Sequence, residues 1–467
     1  MKNCIPVFFF FFAVHPAAFS NSGYTLDIRF SQLPDSKVFL ASIRGDAYKI
    51  IDTAYLKNNV CSFLLSDHAQ PGMYRIIPEN ATGQGRRNAP VNTIDVIFNR
   101  ENISLKTVNP WLQDSMVILE SVENKAYFDF LKQQKLNQNK LEILRNLLAQ
   151  YPADDELYVS VAKRYNDLQK EQQQFIRQTC ERYKGTFAAS LIAMNKTPFL
   201  DAGLTEAERQ AYYKKHYFDE LDFSNKDLIY SGAYTHSVVR YIMLYRDPVL
   251  PQPELEKEFM KAVDLVLANT NKDPEVYDFV INYLMEGFEQ LKLDNVLKYI
   301  ADNFMSTVCK TSDSSTLLRR MESYSKLAVG MQAPDIAIRN PQNQEIRLSV
   351  IDKPYTLVVF WASWCPGCEE LLPKLKNWYM SKTVDIEVLA ISVDSVRADW
   401  IEAIDRKSYN FLHGCDLKGW NGKAASDYFV YATPSLFLLD RNRKILAKPN
   451  SFEDLLKAVD GLSKKTE

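Results

Sequence analysis

The pair Cys365 and Cys368 constrains this chain most, because it lies where an apolar run, Tyr355 to Trp361, gives way to a helix-like stretch. Residues three positions apart on a helical turn lie about 5–6 Å apart, within the range that a disulfide requires. The first cysteine also lies where a helix leaves its N–H groups unpaired, and their partial positive charge favours a thiolate. Because the thiolate is the attacking species in thiol–disulfide exchange, this position predicts redox chemistry.

Other interpretations of the motif are weaker. A Cys-x-x-Cys pair can form half of a zinc site, but the nearby candidates that would complete it, His413 and Cys415, have a poor spacing for zinc. An inert structural disulfide usually crosslinks a small loop-rich fold, not the junction of a strand and a helix in a large domain. Copper delivery by the two thiols with His413 is a third alternative. We expect no bound metal and no cofactor.

Three separated segments carry a resemblance to a known family. They are Val329 to Asp335 (VGMQAPD), Phe360 to Cys368 (FWASWCPGC) and Ala432 to Asp440 (ATPSLFLLD). In this order they resemble a TlpA/ResA-like thioredoxin-fold thiol-disulfide oxidoreductase, within the wider AhpC/TSA-related group that also contains the peroxiredoxins. The resemblance covers about residues 328–467. It implies a thioredoxin fold and dithiol–disulfide exchange for this region.

The residues of these motifs have expected roles. At the helix N-terminus, Cys365 is expected to be the nucleophile and the more exposed thiol, and Cys368 the resolving thiol that displaces the mixed disulfide. Trp364, beside the nucleophile, is expected to form the lip of a substrate-binding groove. Thr433 and Pro434 resemble the family's cis-proline loop. In the family this loop faces the two cysteines, and the backbone of the residue before proline pairs with the substrate.

Two positions depart from the pattern that this resemblance implies. Val359 stands where thioredoxins have a buried Asp, and Leu371 stands where ResA-like proteins have a Glu. Glu369, four residues after Cys365, is a candidate for proton transfer. A solvated carboxylate in the first helical turn is an equal alternative. The proton acceptor for Cys368 is therefore left open.

Two functional classes are excluded by the sequence. Peroxiredoxins need Pro-x-x-x-Thr-x-x-Cys, and this chain has Val358 and Ala362 at the proline and threonine positions. The formal net charge of −2 provides no basic surface for nucleic acid. Neither peroxidase chemistry nor nucleic-acid binding is expected.

The N-terminus has the composition of a secretory signal. Lys2 precedes the apolar stretch Ile5 to Val14, and small residues follow at Ala18 and Ser20. We expect a signal peptide over 1–20, cleavage near Ser20 and a periplasmic protein. The alternative is a protein that keeps this segment as a membrane anchor and faces the periplasm, although ten apolar residues are short for a membrane span. The remaining single cysteines are expected to be small buried hydrophobes: Cys61, Cys180, Cys309 and Cys415.

At 467 residues the chain is expected to contain more than one domain. Residues 21–108 have several short runs with apolar residues at alternate positions, as at Tyr24, Leu26, Ile28 and Phe30. Such runs predict a small all-β, sandwich-like domain. This block resembles the β domain of unknown function that is often fused ahead of TlpA-like domains.

Residues 109–327 have helical periodicity, and we expect an all-α domain there. One apolar face is formed by Leu141, Leu144 and Leu148. Another is formed by Val280, Leu284, Phe288 and Leu291. A helical repeat array is an open alternative for this region.

Residues 328–467 alternate between strand-like and helix-like stretches, which predicts a mixed sheet flanked by helices. Leu357–Trp361 is continuously apolar, as a central buried strand should be. The expected elements are strands at 336–338, 345–348, 357–361, 384–393, 435–439 and 444–447, and helices at 369–380, 397–408 and 453–462.

The predicted function is that of an exported thiol-disulfide oxidoreductase which reduces protein disulfides through the Cys-Pro-Gly-Cys dithiol. The resemblance implies protein disulfide substrates and a membrane-bound electron donor. The two domains ahead of residue 328 are expected to bind the substrate, a partner or a second copy of the chain, the last of which would give a homodimer. A partner-binding or scaffold protein with a weakly active thioredoxin-like module is the alternative. The direction of electron flow does not follow from the residues alone.

Overall fold

The computed structural model describes residues 23–79, 93–108, 115–308, 315–382 and 384–463. They divide into two compact units, with the boundary between Arg240 and Tyr241. The predicted signal peptide and its cleavage site near Ser20 lie outside the described residues. Because the unit boundary falls within the segment 109–327, the predicted domain borders at 108 and 327 stay predictions.

Strands form the first part of the first unit. They are β1 Gly23–Phe30, β2 Lys37–Arg44, β3 Ala47–Tyr55, β4 Val60–Ser66, β5 Gly72–Pro78, β6 Ile94–Phe98, β7 Ile103–Thr107 and β8 Val117–Glu120. They make two four-stranded sheets, in the orders β4-β1-β7-β8 and β3-β2-β5-β6. Alternate side chains of β1 point inward, and both sheets contribute to one apolar core, for example through Ile28 and Ile76. The sheets therefore pack as a sandwich, as the alternation predicted.

Strand β8 corrects the predicted start of the helical segment. Residues 109–327 were expected to be helical, but Val117–Glu120 pairs antiparallel with β7, and Ile118 lies opposite Leu105. Three of the four residues are apolar, two of these are β-branched and the fourth is Glu120, a composition that suits an edge strand. The sheet therefore continues beyond residue 108 before the first helix begins.

Helices complete the first unit. They are α1 Val122–Gln150, α2 Glu156–Arg182, α3 Phe187–Ala193, α4 Glu206–His216 and α5 Ala233–Met243, the last of which reaches into the second unit. Ser121 caps α1 by accepting the N–H of Asn124. The buried Asn124 side chain accepts the N–H of Ile97 at 2.8 Å and donates to its carbonyl at 2.7 Å. This pair of bonds fixes the start of α1 to strand β6.

The second unit begins with further helices. They are α6 Gln252–Thr270, α7 Pro274–Gln290, α8 Asp294–Phe304 and α9 Ser315–Lys326. The predicted apolar face of α7 is buried at Val280, Leu284 and Phe288. Leu291 was wrongly included in that face, because it follows the last turn of α7 and is 63% exposed. Among the residues described, none of the helices combines the length and apolar character needed to cross a bilayer.

The C-terminal elements form a thioredoxin-like layer structure. The strands are β9 Ala337–Arg339, β10 Glu345–Arg347, β11 Tyr355–Trp361, β12 Ile386–Ser392, β13 Leu412–Cys415, β14 Ser435–Asp440 and β15 Ile445–Ala447; the helices are α10 Pro366–Ser381, α11 Arg397–Lys407, α12 Lys423–Asp427 and α13 Phe452–Ser463. The main sheet has the order β13-β12-β11-β14-β15. Strand β11 is central, parallel to β12 and antiparallel to β14. This arrangement confirms the predicted mixed sheet.

Candidate active site

The two cysteines lie at the start of α10, directly after the central strand. Helix α10 begins at Pro366, three residues before the predicted start, and Cys365 is its N-cap residue. Proline suits this first position because its missing N–H would be unpaired there in any case. The Cys365 Sγ accepts the backbone N–H of Cys368 at 3.2 Å. The two sulfurs are free thiols that lie 2.7 Å apart.

The two cysteines differ less in solvent exposure than the sequence predicted. Cys365 is 4% exposed and Cys368 is 1% exposed, so the predicted order holds, although both residues are buried. The Cys365 thiol donates to the Thr433 carbonyl at 3.2 Å, which explains why little of the residue is open to solvent. The exposed neighbour in the motif is Trp364, whose exposed fraction is 57%.

The environment of Cys368 favours its protonated form. Burial, followed by the hydrogen bond to Cys365, raises the pKa of the Cys368 thiol to about 12. Cys368 therefore keeps its proton at neutral pH, and its S–H donates to the sulfur of Cys365. The Cys365 sulfur accepts an N–H and an S–H, both from Cys368.

The predicted cis-proline loop faces the cysteines. The peptide bond between Thr433 and Pro434 is cis, as the resemblance implied. The Thr433 carbonyl contacts Cys365, and a β-carbon added to Gly367 would lie 3.1 Å from Pro434 Cδ. A glycine at 367 therefore allows close approach of the loop to the first turn of α10. The structure brings Cys365, Cys368, Thr433 and Pro434 together.

An aromatic pair borders the nucleophile. The Trp364 ring packs edge-to-face against the Trp420 ring, with centroids 6.1 Å apart. Trp420 is 39% exposed, so the pair presents a partly solvent-facing aromatic surface beside Cys365. The sequence did not identify Trp420, because it lies in a short 3-10 helix, Gly419–Asn421, between β13 and α12 that carries no motif.

A buried carboxylate fixes the loop that leads to the cysteines. Asp394 accepts the N–H of Ser363 at 3.1 Å and the Ser363 hydroxyl at 2.8 Å. It also accepts the Ser392 hydroxyl at 2.6 Å. Asp394 follows β12 at the carboxyl edge of the parallel strands, where polar residues are often functional. Its place two residues after a buried apolar strand is a sequence signal that points to it.

A shallow cavity lies on the other side of Cys368. Its lining includes Cys368, Glu369, Arg406 and Tyr409, and Glu369 is the one carboxylate among the lining residues. Burial raises the pKa of the Tyr409 hydroxyl, and the neighbouring Cys368 and Glu369, which are negative when ionised, add to the shift. Glu369 itself is exposed in the first turn of α10. The geometry is compatible with either predicted role of this residue.

The two positions at which the resemblance implies an acid are apolar and buried here. Val359 lies within β11 and is inaccessible to solvent, and Leu371 packs into the core from α10. Neither can exchange a proton with Cys368. Any proton transfer must therefore use a different group.

His413 and Cys415 lie in β13 and are buried. The imidazole packs against the rings of Trp361, Tyr409 and Phe411. Burial lowers the pKa of His413 to about 4, so the ring is neutral at physiological pH. Within the described part of the chain, no group of three or more His, Cys, Asp or Glu side chains is placed to hold a metal ion.

Fold and site together define a thioredoxin-fold domain with a Cys-x-x-Cys dithiol facing a cis-proline loop. Residues 329–448 match the model of the AhpC/TSA family. Thiol-disulfide oxidoreductase ResA of Bacillus thuringiensis subsp. konkukian is 25% identical over 127 residues, which is 26% of this chain and 69% of the relative. Thioredoxin-like protein YneN of Bacillus subtilis is 29% identical over 126 residues, which is 26% of this chain and 72% of the relative.

A solved structure of a thiol-disulfide oxidoreductase from Bacteroides fragilis matches 28% of this chain and 98% of its own, with 29% identity and a TM-score of 0.26. The family match and the curated relatives confirm the predicted resemblance of the C-terminal domain to ResA-like thiol-disulfide oxidoreductases. They also support assignment of the protein to the oxidoreductase class of enzymes.

Proposed function

We propose that this protein is an exported thiol-disulfide oxidoreductase that reduces protein disulfides through Cys365 and Cys368. The observation that carries the proposal is the contact between two free sulfurs 2.7 Å apart. A disulfide bond is about 2.05 Å long, so the pair needs little movement to close. The names of the curated relatives support the same reaction class.

The proposed reaction has two exchanges. The Cys365 thiolate attacks one sulfur of the substrate disulfide; the Cys365–substrate bond forms, the substrate S–S bond breaks, and the departing thiolate takes up a proton. Cys368 then loses its proton and attacks the Cys365 sulfur, which forms the Cys365–Cys368 disulfide and releases the second substrate thiolate. The substrate gains two electrons and the protein loses two. A membrane-bound donor is proposed to return them.

The second exchange requires a base, because the Cys368 thiol has a pKa of about 12. We assign this role to Glu369, since its carboxylate lines the same cavity as Cys368. Trp364, Thr433 and Pro434 are proposed to bind the substrate around the disulfide. The contact between Thr433 and Cys365 supports this, since it places the loop backbone beside the nucleophile.

The remaining parts of the proposal concern location and partners. The sequence pattern over 1–20 supports export to the periplasm, with cleavage near Ser20 or with retention as a periplasm-facing anchor. The β domain 21–108 and the helical domain 109–327 are proposed to bind the substrate, a partner or a second copy of the chain, ahead of the thioredoxin-like domain 328–467.

A second candidate is a scaffold protein with a weakly active thioredoxin-like module. The observations in its favour are the buried nucleophile and the apolar residues at Val359 and Leu371. Turnover separates the two candidates. The purified protein should reduce insulin disulfides with dithiothreitol as donor, and Cys365→Ser should abolish this activity.

The matched control is Cys415→Ser, which removes a buried thiol outside the pair. This variant should keep its turnover. Cys368→Ala should accumulate a mixed disulfide between Cys365 and its substrate in the native compartment, because the resolving thiol is missing. A folded wild-type protein with no turnover and no change in thiol trapping between oxidised and reduced samples would favour the scaffold.

A further inference from the structure

Helix α9 contacts the segment that leads to the cis-proline loop. The Arg319 guanidinium lies over the Tyr431 ring, 5.5 Å from its centroid. The Lys326 ammonium lies over the Phe429 ring at 5.8 Å. Nearby, the Lys448 ammonium lies 5.0 Å from the centroid of the Tyr324 ring, which also belongs to α9. Cation–π contacts thus join α9 to the thioredoxin-like fold.

These contacts place a positive charge on the ring of Tyr431, two residues before the cis-proline loop that contacts Cys365. Tyr431 precedes Thr433 by two residues, so their Cα atoms are at most about 7.6 Å apart. The Thr433 carbonyl in turn lies 3.2 Å from the Cys365 sulfur. Tyr431 is 56% exposed. The guanidinium on its ring therefore lies on the exposed segment that leads into the loop proposed to bind the substrate.

Among the described residues, no carboxylate compensates the charge of Arg319. Arg319 is exposed, and none of the described carboxylates forms an ion pair with it. The neighbouring Arg320 differs, because it pairs with Glu286 at 3.6 Å and with Glu289. An arginine that is fixed on an aromatic ring and lacks an acidic partner is suited to receive a carboxylate from another molecule.

We propose that Arg319 selects substrates, and that the preferred substrate is a polypeptide with Asp or Glu beside its disulfide. This inference rests on the proposed function, because it concerns the substrate of the same dithiol. Arg319 takes no part in the sulfur chemistry. It attracts the acidic flank of the substrate during the encounter and holds it while Cys365 attacks, so its effect falls on kcat/KM.

The test uses two synthetic peptides with the same intramolecular disulfide, one flanked by Glu and the other by Lys. The wild-type protein should reduce the acidic peptide with a kcat/KM about three- to fivefold higher, as expected for one exposed ion pair. Arg319→Gln should bring the ratio close to one, and Arg319→Glu should invert it. In 0.5 M salt the wild-type preference should largely disappear, because exposed charges are screened.

The control is Lys353→Gln, which neutralises one positive charge as Arg319→Gln does. Lys353 pairs with Asp385 before β11, at the other end of that strand from Cys365. Seven residues of strand place the two ends about 20 Å apart, so the control should leave the ratio unchanged. Thermal unfolding of Arg319→Gln checks that α9 keeps its place. Reduction of both peptides with a ratio that neither Arg319 variant changes would overturn this inference alone. If the protein reduces neither of the two peptides, the proposed function is overturned, and the inference with it.

Discussion

The Cys365 sulfur accepts the N–H of Cys368 at 3.2 Å, so the proposed nucleophile is also the N-cap of α10. Serine can replace this cap and alanine cannot. We therefore expect Cys365→Ser to retain wild-type stability and Cys365→Ala to lose about 1 kcal/mol, while both lose turnover. Urea unfolding followed by tryptophan fluorescence measures the difference.

This fluorescence signal reports mainly the C-terminal domain, because five of the six tryptophans lie there: Trp361, Trp364, Trp378, Trp400 and Trp420. Equal unfolding midpoints for the serine and alanine variants would show that the sulfur does not cap the helix. A difference in midpoint with equal loss of turnover would separate the capping role from the chemical one.

Much of the fold was predictable because burial on one face imposes a regular pattern. Leu26, Ile28 and Phe30 alternate with polar residues and form β1, while the continuous apolar run of β11 became the central strand. The missed elements, β8, β13 and α12, have only four or five residues each. Elements this short do not complete enough periods to be identified from pattern alone.

The candidate site was predictable where its residues are adjacent in sequence. Cys365, Cys368 and Trp364 share one motif, and Thr433 with Pro434 forms another. Asp394 and Trp420 could not be assigned in this way, since they reach the site through the order of the strands. Arg319 comes from a helix outside the thioredoxin-like fold, so no local motif connects it with the dithiol.

Asp394 should be essential for positioning the loop before the cysteines. Asp394→Ala leaves the part-buried Ser363 N–H and two hydroxyls without their acceptor, so we expect a loss of about 3 kcal/mol in unfolding free energy. Turnover should fall at least tenfold, because Ser363 is two residues from Cys365. The control Ser392→Ala removes one hydroxyl donor to Asp394 and the acceptor of the Asp394 N–H, and it should cost about 2 kcal/mol while Ser363 keeps its acceptor. Wild-type stability of Asp394→Ala would contradict this role.

Trp420 should support Trp364 at the substrate lip. Aromatic edge-to-face pairs contribute about 0.5–1.5 kcal/mol, so Trp420→Ala should raise KM for a peptide disulfide roughly two- to tenfold with little change in kcat. Trp420→Phe keeps an aromatic edge and should behave almost as wild type. Steady-state kinetics of the two variants provide the comparison. An unchanged KM in Trp420→Ala would show that Trp420 does not contribute to substrate binding.

His413 should make the stability of the second unit depend on pH. Burial lowers its pKa from 6.5 to about 4, so between these values the unfolded chain binds a proton that the folded chain does not. Stability from this group is therefore fully present above pH 6.5 and is lost as the pH falls towards 4, by up to about 3 kcal/mol. Urea midpoints of the wild type and His413→Phe at several pH values measure the effect. His413→Phe should lack the part of the stability loss at acidic pH that comes from His413. If the wild type and the variant lose stability in parallel as the pH falls, His413 is not the group responsible.

Gly414 should be required by the packing of β13 against β9. A β-carbon at this position would lie 2.3 Å from Cγ2 of the buried Ile338, and no shift of a flexible chain end would relieve the clash, because Ile338 Cβ is only 3.2 Å away. Gly414→Ala should therefore cost about 1–3 kcal/mol of unfolding free energy. In the double variant Gly414→Ala/Ile338→Ala the clash is removed. Its loss of unfolding free energy should therefore be smaller than the sum of the losses in the two single variants. Strict additivity in a double-mutant cycle would mean that the two residues do not oppose each other in the folded protein.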